Sequence, residues 1–209
     1  MTAPALVGID ATGTREAWGE AGFTVDADGG VRIGHVRMQT GAEGRGITAW
    51  TFAAATNVDD IDGLTTRIEP DAAVEPTDHP NGSTLIDHIV VVSPDGARTT
   101  RALGALGLEP KRQRETNQYG DAPFRQTFFR AGEVIIELVS PAEPGDQDGP
   151  ARFFGIACTV RDLDACAALL GDALGSIKDA VQPGRRIATL RHKDLGLRVP
   201  VAFMSDEPA

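Results

Sequence analysis

Aromatic residues make up only 5% of this 209-residue chain. That is a poor basis for a platform on which nucleic-acid bases stack. Basic residues are also in deficit: 20 Lys and Arg stand against 30 Asp and Glu, a formal net charge of -10. This balance argues against a nucleic-acid backbone or an anionic membrane as the main partner. It leaves room for a small anion, because a local cluster of Arg overrides the global sign. Cysteine is scarce, with Cys158 and Cys166 alone, so no disulfide framework is expected and a reducing cytoplasm fits. The opening Met1-Thr2-Ala3-Pro4-Ala5 has no basic stretch followed by an apolar core, so no signal peptide is expected. No apolar run approaches the ~20 residues of a membrane span. Also missing are a Walker loop, a Gly-x-Gly-x-x-Gly after a strand, a Gly-x-Ser-x-Gly elbow and a Cys-x-x-Cys pair. The expectation is a cytoplasmic protein with neither nucleic acid nor membrane as partner.

What is present is a packable chain, 41% hydrophobic, with a repeated grammar. The clearest unit runs from Leu85 to Ser140. Ile86 to Val92 is short and β-branched, a strand. Ser93-Pro94-Asp95-Gly96 is turn and helix-start chemistry, Arg98 to Leu106 reads as a helix, and Gly107 suits its C-terminus. Leu108 to Arg112 is a strand, and Gln113 to Asp121 is loop-like. Phe124 to Arg130 and Glu133 to Val139 pair around an Ala131-Gly132 turn. The unit is β-α-β-β-β. A second copy runs from Arg152 to Ser205, with Asp162 capping its helix and Pro200 demoting the last strand to an edge or a bulge.

The N-terminal stretch is a weaker copy. Strands are expected at Ala5 to Ile9, Val31 to Met38 and Gly46 to Phe52, and a helix at Thr14 to Glu20. Asn57 to Gly82 reads as a linker or irregular connection, with room for one short element at Gly63 to Ile68. The expected organisation is a degenerate βαββ module over 1–56, a linker over 57–83, and a paired domain over 84–209 with modules 84–141 and 151–205. A four-stranded sheet backed by a helix leaves one face open, so two modules facing each other close a cup. The expected fold is α+β: paired βαβββ modules forming a cupped mixed sheet, with a partial N-terminal module.

His88, in Ile86-Asp87-His88-Ile89-Val90, and Glu137, in the hairpin Phe128-Phe129-Arg130-Ala131-Gly132-Glu133 to Leu138, carry a resemblance. The chain resembles the vicinal oxygen chelate superfamily, which includes glyoxalase I, bleomycin-resistance proteins, ring-cleaving dioxygenases and methylmalonyl-CoA epimerase. The resemblance implies four metal-ligand positions, on the first and last strand of each module. Here the first module supplies His88 and Glu137. Matching Phe153-Phe154-Gly155-Ile156 and Ala202-Phe203-Met204-Ser205 to them puts Gly155 third and Ala202 fourth. Neither side chain binds a metal. The resemblance therefore implies an incomplete site for a divalent metal, with Zn, Ni, Mn, Mg and Fe unresolved.

Strand side chains alternate, so His88 shares a face with Val90 and Val92, and Glu137 with Ile135 and Glu133. With a two-residue Ala131-Gly132 turn, Phe128 opposes Ile135 and Gln126 opposes Glu137. Gln126, Phe128, His88 and Glu137 should then line one concave surface. Three readings of the His88–Glu137 pair stand: a weak metal site, a hydrogen-bonded remnant of one, or a metal-free acid–base pair. His35 and His79 read as structural or exposed, and His192 as an exposed turn residue. Cys158 and Cys166 read as core.

Arg is suited to bidentate anion recognition. Arg112, Arg114 and Arg125 flank the Gln113 loop, and Arg185-Arg186 follows Gly184 at a strand entrance. Gln126, Phe128, Arg125 and Arg186 are the expected substrate contacts, with Tyr119-Gly120-Asp121-Ala122-Pro123 as a lid or an ordinary loop. The functional expectation is a lyase, isomerase or dioxygenase-type enzyme acting on a small oxygenated anion through His88 and Glu137. The alternative is a protein that sequesters a small molecule, as resistance proteins do. A homodimer is left open.

Overall fold

In the computed structural model, which describes residues 3–56, 58–70, 74–117, 123–143 and 148–206, the run around His88 becomes a central strand. In chain order the elements are β1 (Ala5–Ala11), α1 (Arg15–Glu20), β2 (Gly30–Ile33), β3 (Val36–Gln39), β4 (Ile47–Ala53), β5 (Asp60–Ile61) and β6 (Leu64–Ile68). Then come β7 (Ser83–Val92), α2 (Gly96–Ala105), β8 (Pro110–Thr116), β9 (Phe124–Ala131) and β10 (Val134–Pro141). The last group is β11 (Arg152–Val160), α3 (Leu163–Leu170), β12 (Lys178–Asp179), β13 (Arg186–Thr189) and β14 (Val201–Ser205). Side-chain oxygens hold the helix starts: Asp95 accepts from the Arg98 amide and Asp162 from the Asp164 and Ala165 amides.

The expected α+β architecture is present as two mixed sheets. The larger runs β12-β13-β14-β11-β7-β10-β9-β8. Within it β7 is parallel to β10, which is antiparallel to β9, and β9 is antiparallel to β8. The second module repeats this: β11 is parallel to β14, then β13 and β12 follow antiparallel. An antiparallel β7–β11 seam joins the halves.

The smaller sheet runs β2-β3-β1-β4-β6-β5. Stripping the outer strands β8 and β12 from the larger sheet leaves the same arrangement. The β1–β3 and β4–β6 pairs are parallel, as are their counterparts, and β1 meets β4 antiparallel as β7 meets β11. The N-terminal part is thus two truncated halves rather than one. β5 and β6 lie inside the stretch expected to be a linker. Their place is set by a parallel partner, β4, for which no local hairpin signal exists.

The two sheets and the helices share one apolar core. Ile89, Val91, Ile136 and Leu138 fill it from the back face of the larger sheet. Trp50 of β4 meets Phe153 of β11 edge-to-face at 5.0 Å. Asp62, in the β5–β6 turn at φ 54, receives Arg98 Nε at 2.6 Å and the Thr99 hydroxyl from the first turn of α2. No helix among the described residues is long and apolar enough to cross a membrane.

Candidate functional site

The pairing of β7 with β11 slips at three places, and at the middle one His88 faces Ala157 and Ile86 faces Cys158, leaving Asp87 as the extra residue. Such a bulge re-aims a side chain. Strict alternation would put Asp87 and His88 on opposite faces. Instead they meet, and His88 Nδ1–H donates to Asp87 Oδ1 at 2.8 Å. Asp87 Oδ2 accepts from Arg185 Nη1 at 2.7 Å. Arg185 also donates to Thr159 Oγ1 at 3.2 Å and to the Ser205 carbonyl at 2.9 Å, and is only 5% exposed. Burial pushes the Asp87 carboxyl up, but the bonds from His88 and Arg185 outweigh it and hold the group at about 2. Asp87 is thus a permanent anion that fixes the His88 tautomer.

On the other side of His88, Nε2 lies 3.8 Å from Glu137 Oε2, too long for a hydrogen bond. Glu137 Oε1 accepts from Gln126 Nε2, and Gln126 Oε1 accepts from Arg114 Nε at 2.5 Å. The Arg114 guanidinium lies over the Phe128 ring, 5.5 Å from its centroid. A polar row therefore crosses the cup from Arg185 through Asp87, His88, Glu137 and Gln126 to Arg114. It draws on β7, β8, β9, β10 and the entrance to β13. His88 and Glu137 stay reachable, with side chains 17% and 13% exposed.

The hairpin register differs from the expected one. Ala131 pairs with Val134, so the turn is Gly132-Glu133, and Glu137 faces Phe128 while Gln126 faces Val139. Gly132 takes the positive φ of 68 that the turn needs. The shift is two residues, so face parity survives and His88, Glu137, Gln126 and Phe128 do share the cup.

The two arginines expected at the pocket lie elsewhere. Arg125 pairs with Glu115 at 2.9 Å, on the face of β9 opposite Gln126. Arg186 is 43% exposed and forks onto Asp164 at 3.0 and 2.8 Å. Its neighbour Arg185, which sequence reading passed over, is the arginine that enters the site. One residue of parity decides between them, and the sequence carries no signal for it. Asp87 was passed over for a related reason, since a bulge leaves no mark in a run of apolar residues.

The remaining sensitive residues are accounted for by packing. His79 is buried, accepts from the Thr24 amide at 3.1 Å and sits 3.1 Å from the Arg32 carbonyl; burial lowers its pKa. His35 is exposed and His192 half-buried in its turn. Burial pushes the Cys166 thiol up to about 12 and raises Cys158 further, so neither is a nucleophile. Of the expected lid, Tyr119 to Ala122 lie outside the described residues.

The residues present do not complete a metal site. Structural and catalytic zinc sites take three or four protein ligands. Among the described residues no group of three or more His, Cys, Asp or Glu side chains converges. Both Asp87 oxygens are already engaged. A Cβ at Gly155 would lie 2.4 Å from the Pro200 carbonyl oxygen, so the third position is closed by backbone. Gly155→His is accordingly expected to lower stability by about 1–3 kcal/mol through overpacking, without creating metal affinity. Thermal melts with and without Zn²⁺ check this; a Zn²⁺-dependent rise in Tm in the variant would count against it. An apolar cavity of about 220 Å³ lies at the seam between the sheets, lined by Leu6, Val7, Ile33, Val36, Leu85 and Ile86 among others. It opens behind β7 and contains none of the polar row.

Comparison with known proteins agrees with this architecture. The family described as Glyoxalase/Bleomycin resistance protein/Dioxygenase superfamily matches residues 87–189. That segment is a domain of the superfamily. No curated protein sequence matches the chain. Among solved structures, a mutant of 4-hydroxymandelate synthase from Streptomyces coelicolor aligns over 100% of this chain and 94% of its own, with TM-score 0.66 and 14% identity. The paired-module fold is therefore shared from end to end. Methylmalonyl-CoA epimerase from Mycobacterium tuberculosis aligns over 61% of this chain and 91% of its own, with TM-score 0.48 and 20% identity.

Proposed function

We propose that this chain is a proton-transfer enzyme, of isomerase or lyase type, acting on a small carbonyl compound in the cup. The observation that carries the reading is His88, held by Asp87 through Nδ1 and left with Nε2 free toward Glu137. This is the arrangement a general base needs: one nitrogen fixed, the other open. His88 Nε2 takes a proton from the carbon beside the carbonyl. The C–H electron pair moves to the carbonyl oxygen as an enolate, and the imidazolium is stabilised by Asp87. With a 2-hydroxy carbonyl compound, the hydroxyl proton passes to the enolate oxygen, and return of the proton from Nε2 to the neighbouring carbon gives the isomer and restores the neutral imidazole. Glu137, facing Nε2 across the gap, is the second proton carrier. A divalent metal, which the family resemblance implies, would find His88 Nε2 and Glu137 Oε2 as its protein donors; two donors fall short of a resident site, so the reading does not depend on one.

Two measurements test this. Nitrogen-15 NMR of His88 should show the Nδ1–H tautomer in the resting protein. In D₂O, a panel of 2-oxo acids and acyl thioesters should include one whose α-hydrogen exchanges. His88→Asn is expected to slow that exchange by about 10²–10⁴-fold. Exchange at the wild-type rate in His88→Asn, with the fold intact, would sink the proposal.

A further inference from the structure

Four arginines on the strands of the cup carry no carboxylate ion pair among the described residues. Eight arginines make carboxylate ion pairs among the described residues: Arg32, Arg37, Arg67, Arg98, Arg125, Arg161, Arg185 and Arg186. Nine have no such partner among those residues: Arg15, Arg45, Arg101, Arg191 and Arg198, and also Arg112, Arg114, Arg130 and Arg152. Register puts the last four on one surface. Arg112 pairs across with Phe128 and Arg114 with Gln126, both cup residues. Arg130 faces Ile135, which faces His88. Arg152 faces Val92, on the same side of β7 as His88. In a chain of net charge -10, these four give the concave face a local positive charge that the global balance lacks.

Between these arginines the floor is apolar. Val90, Val92, Val139 and Phe128 are half-buried there, whereas Ile89 and Val91 on the back face are fully covered. Arg114 is also aimed rather than loose, since the 1%-exposed Gln126 holds its Nε and Phe128 supports its plane. A planar guanidinium fixed in this way forks onto a carboxylate or phosphate.

We infer that the substrate is an amphipathic organic anion. Its carboxylate or phosphate end is taken by Arg112 and Arg114 on β8, and its apolar part lies on Val90, Val92, Val139 and Phe128. Arg152 on β11 lines the opposite wall. This inference rests on the cup being the working site, and it adds the class of molecule that enters.

The test uses three probes with one tail: hexanoate, hexyl phosphate and uncharged hexanol, titrated into the full chain by calorimetry or NMR. At least one anion is expected to saturate, more weakly as salt rises, and the preferred one tells carboxylate from phosphate. The paired substitution Arg112→Gln with Arg114→Gln should weaken it by about tenfold or more. Arg125→Gln and Arg186→Gln, which carry surface pairs elsewhere, should leave it unchanged. Hexanol binding as tightly as the anions, equal weakening by the control substitutions, or no saturation by either anion would overturn the inference. His88→Asn separates the two proposals: anion binding kept with exchange unaffected defeats only the proton-transfer reading, and exchange lost without any anion site in wild type defeats only this one.

Discussion

Asp87→Ala is expected to lower stability by about 3–5 kcal/mol, because removing one partner of a buried ion pair strands the other. Arg185 is the stranded partner, 5% exposed and unable to shed its charge. Urea unfolding should show the midpoint falling with little change in slope. Replacing both residues by apolar ones, Asp87→Leu with Arg185→Met, should recover much of the loss. The same carboxylate fixes an acid limb. Its pKa is lowered from 3.8 to about 2, so the unfolded chain binds the proton first. The stabilisation is complete above about pH 4, is lost as pH falls through about 2, and amounts to about 2 kcal/mol. In the alanine variant that limb of the stability curve should flatten. A variant within about 1 kcal/mol of wild type, in the range of exposed pairs, would show that Arg185 is not confined as described.

Trp50→Ala is expected to cost about 3–5 kcal/mol, the range for a large aromatic removed from a core. Trp50 is fully buried, meets Phe52 and Phe153 edge-to-face at 5.0 Å each, and donates from Nε1 to Thr66 Oγ1 at 2.8 Å. Its loss leaves a cavity against Phe153, strips Thr66 of a donor and loosens the smaller sheet from the larger. Because both sheets feed one core, unfolding should remain a single transition followed equally by near-UV and far-UV circular dichroism. Two resolved transitions in the wild type would mean that the sheets fold independently, and the expected cost would then fall on the smaller one alone.

The parts of this fold that depend on local pattern were legible in the sequence. β7 and β10 announce themselves by β-branched runs, the α2 and α3 starts by Asp95 and Asp162, and the parity of His88, Gln126, Phe128 and Glu137 by alternation. What escaped is non-local or hinges on one residue. The bulge at Asp87 turns on how β7 meets β11, a strand some seventy positions away. The parallel match of β6 to β4 has no turn to mark it. Arg185 and Arg186 are chemically alike, and only the line by which the chain enters β13 sends one inward and the other to Asp164. The metal expectation moved for a similar reason: Gly155 reads as a missing ligand, but Pro200 shows that the place itself is filled.

β8 is the outer strand on its side of the larger sheet, and an outer strand offers bare amides and carbonyls to any passing chain. From Lys111 to Glu115 it reads Lys-Arg-Gln-Arg-Glu, charged on both sides. Stacking a second copy in register there would set like charges against one another across the new pair. The wall proposed to meet the ligand is therefore also an edge guarded by charge against pairing with a passing strand. Exchanging Arg112 and Arg114 for apolar residues would blunt the cup and, in the same stroke, make the edge sticky.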